Sequence, residues 1–199
     1  MSRRPFPLAI CLLAAVLLVA PASASTVIYS DLGPGGSYDS TQGYSLFHYG
    51  FLLVQFVASA NGPAVQADLA LEGNLVTAVS LWTDSGGGPG TQLCSAQANS
   101  ALSGLTTMTL AGCPALIAGQ SYFIQDVLTA GLGEWNYNNQ GITGSVASVG
   151  DNATLPAFDV LGPDPATPEP STLLLLLPGA ALLVLRRYAR SSYELITFR

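Results

Sequence analysis

Apolar residues in the middle of this chain come in short runs separated by clusters of glycine, proline and asparagine. The runs are Val27–Ser30, Gly50–Val57, Val65–Leu71, Thr77–Trp82, Gln92–Ala98, Leu105–Leu110, Ser121–Leu128, Ile142–Val149 and Ala157–Leu161. No window sustains an amphipathic helical stripe, so short strands are the reading that fits. Their number and spacing predict an all-β body, an antiparallel, jelly-roll-like β-sandwich. Within it Val65, Ala67, Leu69 and Leu71 alternate with Gln66, Asp68, Ala70 and Glu72, which directs the first set to a core and the second to water. A turn is expected at Glu72-Gly73-Asn74, after which Val79 and Leu81 alternate against Ser80 and Trp82. Gly33-Pro34-Gly35-Gly36, Asn61-Gly62-Pro63, Gly86 to Gly90 and Gly131 to Gly133 also spell turns.

The two ends follow different patterns. Arg3 and Arg4 precede an apolar run, Phe6 to Ala20, and Ala22-Ser23-Ala24 offers the small residues a signal peptidase requires, so residues 1–24 read as a signal helix cleaved after Ala24. Cys11 lies inside the apolar run, not at its end, which argues against a lipid attachment site. The body is expected over 25–161, a Pro-rich linker over 162–170, and a short tail over 191–199. Between linker and tail lies the apolar run Leu173 to Leu185, thirteen residues interrupted by Pro178-Gly179 and followed by Arg186, Arg187 and Arg190. A helix needs about 20 residues to cross a bilayer, so this short hydrophobic helix makes a marginal span. Arginines after it keep that flank cytoplasmic and place the body outside the inner membrane.

Charge narrows the function classes. The net charge is −6, yet every basic residue lies in the two ends, and the span from Ser25 to Thr167 carries ten acidic residues and neither Lys nor Arg. Phosphate contacts need cationic side chains, so nucleic acid is excluded as a partner, and an acidic surface resists anionic membranes. Cys94 and Cys113 remain after signal cleavage; an exported domain favours a disulfide between them, the alternative being two buried free thiols.

Candidate chemistry is sparse. His48 is the sole histidine and no Gly-x-Ser-x-Gly elbow accompanies it, so a serine triad is not expected. Glu72 and Glu134 are the only glutamates of the body, and their separation decides whether they could flank a glycosidic bond. No catalytic residue is assigned, the chain is read as a non-enzyme, and no cofactor is expected. For Ca2+ the candidates are Asp84 beside Ser85 and Asp151 beside Asn152, although an Asp before Ser-Gly, as at Asp84, also makes an ordinary Asx-turn. Trp82, Trp135 and Tyr137 are candidate sugar contacts, the last two within Trp135-Asn136-Tyr137-Asn138-Asn139-Gln140; the competing reading places Trp135 and Tyr137 in the core or at a strand edge.

Thr167-Pro168-Glu169-Pro170-Ser171-Thr172, the apolar segment and the arginine cluster together resemble the PEP-CTERM sorting signal over residues 167–190, with Pro168, Glu169, Pro170, Ser171 and Thr172 as the motif. Thr167 stands where that family often has Val, and the tail extends past the arginines. The resemblance implies a processing enzyme of the exosortase type in a Gram-negative-type bacterium that makes exopolysaccharide. It also implies an inner-membrane intermediate and a mature form that is membrane-anchored, on the cell surface or in the extracellular matrix. Ser30 to Gly36, Val79 to Gly90, Gly119 to Phe123 and Trp135-Asn136 resemble choice-of-anchor extracellular domains of the R type, which implies a surface-displayed β-sandwich without established enzymatic activity. The reading these features support is a non-catalytic surface or matrix protein, the alternatives being a carbohydrate-binding module and, third, a hydrolase.

Overall fold

The computed structural model describes residues 25–96, 99–101 and 103–164. The signal segment, the Pro-Glu-Pro motif Pro168 to Thr172, the apolar run and Arg186, Arg187 and Arg190 lie outside the described residues. Among the described residues no helix is long and apolar enough to cross a membrane.

In chain order the elements are β1 (Val27–Ser30), β2 (Asp39–Ser45), α1 (Leu46–Tyr49), β3 (Phe51–Val57), β4 (Gly62–Pro63), β5 (Gln66–Asp84), β6 (Pro89–Ser95) and β7 (Asn99–Ala101). They continue as β8 (Gly104–Thr109), β9 (Ala115–Leu116), β10 (Ser121–Tyr137), β11 (Thr143–Val146), β12 (Gly150–Thr154) and β13 (Phe158–Leu161). The body is thus all-β, and every strand pair is antiparallel.

Two long strands organise it. β5 and β10 pair with each other from Thr83↔Tyr122 to Leu71↔Trp135. The first part of β10 also pairs with β3 and its end with β2, while β5 pairs with β6 and β7 late in its length and with β8 and β13 early. Leu69, Leu71, Trp135 and Phe158 of one half share a single buried cluster with Val54, Val79, Leu81 and Ile124 of the other. The sheet therefore folds over on itself, and the two halves form the layers of a sandwich. Phe56 of β3 meets Phe158 of β13 edge-on at 5.8 Å between ring centroids, and Phe158 meets Trp135 at 5.7 Å.

The bend explains the main departure from expectation. Glu72-Gly73-Asn74 and Gly131 to Gly133 are not turns but the middle of the β5–β10 ribbon, with Gly73 opposite Gly133 and Leu75 opposite Gly131. A Cβ on Gly73 would strike the Leu132 carbonyl, and one on Gly131 the Asn74 carbonyl. These glycines let two backbones approach where the ribbon coils, helped by a register shift between Leu128 and Ala130.

Smaller differences have local causes. Val65 is 37% exposed, whereas Ala70, expected outside, is buried, and its N–H donates to the carbonyl of Ala157, the residue that precedes β13. The run Ile142–Val149 contributes only Thr143–Val146 before a turn. The body also reaches past Leu161, since Gly162 N–H donates to the Thr26 carbonyl at 2.7 Å. Cys94 of β6 is bonded to Cys113, Cα–Cα 4.9 Å, closing the segment that carries β7 and β8.

Candidate functional site

The outward face of β3, β10 and β5 is apolar where a solvated face would be polar. In β3 Leu52, Val54 and Phe56 point to the core, and Phe51 and Leu53 to the other side. In register beside them lie Val127 and Gln125 of β10, then Ala78 and Ser80 of β5, with Trp82 one step further along. This face forms a trough of about 370 Å3 floored by Phe51, Leu53, Trp82 and Gln125. Pro89, at the exit of the Gly-rich hairpin, makes one rim, and Ala147 and Ser148, after β11, make the other.

Both rims are held. Asp84 Oδ1 accepts the Gly87 N–H at 2.7 Å, its Oδ2 accepts from Gln55 Nε2 at 2.6 Å, and the hairpin closes with Ser85 N–H to the Gly88 carbonyl. Glycine is needed here, because Gly86 and Gly87 both adopt positive φ. The opposite rim is tied to the floor strand through Ala147 N–H and the Leu53 carbonyl, 2.9 Å.

Polar groups of the floor form a short relay. Trp82 Nε1–H donates to Ser80 Oγ at 2.9 Å, and Ser80 Oγ–H donates to Gln125 Oε1 at 3.3 Å. The indole is therefore pinned in orientation while its ring stays partly open, and the Gln125 carbonyl is engaged inside the protein. Ser148 Oγ is buried without a hydrogen-bond partner among the described residues.

The structure separates the three candidate sugar contacts. Trp82 lies in the trough, as its opposite phase to Val79 and Leu81 implies. Trp135 does not reach solvent: it is 0% exposed and its Nε1–H donates to the Ala157 carbonyl at 2.9 Å, so its face cannot stack on a sugar. Tyr137 ends β10, far along the strand from the Phe123 that pairs with Trp82, and packs edge-on against Tyr44 at 4.8 Å. The amides of Asn138 and Asn139 are consumed internally, and Asn136 is buried. Asn138 Nδ2 donates to the Ile142 and Leu155 carbonyls, its Oδ1 accepts from Gln140 and Ile142 N–H, and Asn139 Nδ2 donates to Ser37. The sequence reading missed Phe51, Leu53, Pro89, Gln125 and Ser148. Its available signal was Phe51-Leu52-Leu53-Val54, a strand apolar on both faces, which requires cover on both.

Other candidate groups are placed as follows. Glu72 and Glu134 are directly opposite in register, but both are exposed, and Glu72 accepts a hydrogen bond from Ser103. Neither borders the trough. His48 is exposed on α1, edge-on to Tyr49 at 4.9 Å. Asp84 is committed to the hairpin, Asp151 is exposed on β12, and among the described residues no three His, Cys, Asp or Glu side chains converge as a metal site.

Two carboxyls unrelated to these candidates are deeply buried. Asp126 sits on the core face opposite Val79 and Leu52, where Thr77 Oγ1 donates to its Oδ1 and Oδ2 has no partner among the described residues. Burial pushes its pKa up to about 8, against the lowering effect of the Val127 backbone hydrogen bond. Asp31 accepts Phe158 N–H at 2.6 Å and is pushed up to about 7, again chiefly by burial. Compared with known proteins, the chain matches no protein-family model and no curated protein.

Proposed function

We propose that this chain is an exported protein whose non-catalytic, jelly-roll-like β-sandwich is displayed on the surface, or released into the matrix, of an exopolysaccharide-producing bacterium. The observation that carries the reading is the Cys94–Cys113 bridge in a body with neither Lys nor Arg. Disulfides persist in oxidising compartments, and a span from Ser25 to Thr167 with ten acidic residues and no counter-cation has no means of gripping nucleic acid. The ends supply the route: a signal helix cleaved after Ala24, then Pro168-Glu169-Pro170-Ser171-Thr172, a short apolar helix and Arg186, Arg187 and Arg190 that hold the tail at the inner membrane until an exosortase-type enzyme acts.

The test is the intact mass of the protein recovered from fractions of an exosortase-bearing host. The expected species begins at Ser25, lacks Ser191 to Arg199, carries the disulfide and is found outside the inner membrane. A cytoplasmic species beginning at Met1 with both thiols free would overturn the reading.

A further inference from the structure

We propose that the trough between the Gly-rich hairpin and the turn after β11 binds a neutral saccharide unit, with the Trp82 indole as its stacking platform and the Gln125 amide as its polar contact. The site is independent of the route by which the chain reaches its destination.

Its size is the first argument. About 370 Å3 falls within the range of small-ligand sites, roughly 300–1,000 Å3, and its lining is mainly apolar with a few polar groups at the floor and rim. A sugar ring matches that mixture, because its axial C–H face lies on an aromatic plane while its edge hydroxyls seek amide and hydroxyl partners. Trp82 presents such a plane already fixed by its bond to Ser80, so little side-chain freedom is lost on binding. Ser80 occupies Gln125 Oε1, which leaves the NH2 of the same amide as the group to donate to a ligand hydroxyl.

Charge selects within the sugars. No ionisable side chain lines the trough, and the surrounding body is acidic throughout, so a uronic or sulfated polysaccharide is repelled as it approaches. A neutral glycan meets no such barrier. An extended peptide is disfavoured by geometry, since peptides add to open strand edges and the trough lies across the face of three paired strands.

The experiment is affinity electrophoresis of the full-length protein in gels containing dextran, mannan, xyloglucan or hydroxyethyl cellulose, with alginate as the polyanionic comparison. Retardation by at least one neutral polymer and none by alginate is expected. Trp82→Ala should weaken that retardation at least about tenfold while Trp82→Phe retains part of it. Acrylamide quenching of the wild-type protein gives a readout that needs no variant: Trp135 is buried, so protection by the retarding polymer reports on Trp82. No retardation by any of the four neutral polymers, retardation unchanged in Trp82→Ala, retardation by alginate, or quenching that the polymer leaves unaltered would each overturn the proposal.

Discussion

Asp126 is the residue whose placement has the clearest thermodynamic consequence. Its carboxyl faces the core beside Val79 and Leu52, with Thr77 as its side-chain partner. Ionising it there would strand a charge in an apolar layer, so the proton is held until about pH 8, whereas the unfolded chain releases it near 3.8. Between those values the native state binds a proton that the unfolded state does not. Stability from this group is therefore complete below about pH 4, falls as pH rises, and is lost above about 8. Asp31, raised to about 7, and Asp159, raised mainly by burial, act with the same sign. The melting temperature of the oxidised protein should drop from pH 5 to pH 8, and Asp126→Asn should flatten that slope. The variant should be more stable than the parent at pH 8 and nearly equal to it at pH 4. Thermal unfolding across this range checks it; a melting temperature that rises with pH, or an unchanged slope in the variant, would contradict the assignment.

At the scale of elements, the same residue type does two jobs that local sequence does not distinguish. Gly86 adopts positive φ in a hairpin with open space around its Cα, whereas Gly131 adopts positive φ where the Asn74 carbonyl would meet a Cβ. Gly131→Ala is expected to destabilise by about 3 kcal/mol, combining the backbone term with steric conflict, and Gly86→Ala by about 1. Urea unfolding of both variants measures the difference, and equal losses would refute the close-approach role of Gly131. This contrast shows why β5 and β10 were legible only as fragments. Apolar alternation marked Val65–Leu71, Thr77–Trp82 and Ser121–Leu128 as strands, but the glycines between and after them carry the turn code, and only the partner strand shows that they are paired. β2 was missed for a related reason: its polar stretch Asp39–Gln42 is exposed or half-exposed and shows no apolar period. In the trough, Trp82 was legible from its phase. For Trp135 the competing reading, a core position, is the one the structure shows, since Phe158 covers its ring; Trp-Asn-Tyr-Asn-Asn-Gln alone reads alike on a solvent face and on a covered one.

For the molecule as a whole, stability comes without ion pairs involving Lys or Arg in the body, since neither occurs between Ser25 and Asp164. What remains is apolar burial, the antiparallel ladders and one covalent bridge. Cys94 belongs to β6, paired with Leu81 in the core, while Cys113 precedes the small β4–β9 pair, so the bridge ties the main sheet to a segment with few ladder bonds of its own. A sequence separation of 19 gives a cross-link contribution of about 3 kcal/mol, most of it from restricting the unfolded chain. Alanine is the informative replacement, because Cys94 is buried and a serine would add an unpaired hydroxyl to the loss of the bond. If the bridge acts as a cross-link, Cys94→Ala, Cys113→Ala and the double variant should lose nearly the same stability, each about 3 kcal/mol, because either single change already removes the constraint. Losses that add in the double variant would instead assign the effect to packing of two separate side chains. Chemical unfolding of the three variants at one pH below 5, where Asp126 is protonated in the native state, separates these outcomes from the ionisation of the core carboxyl.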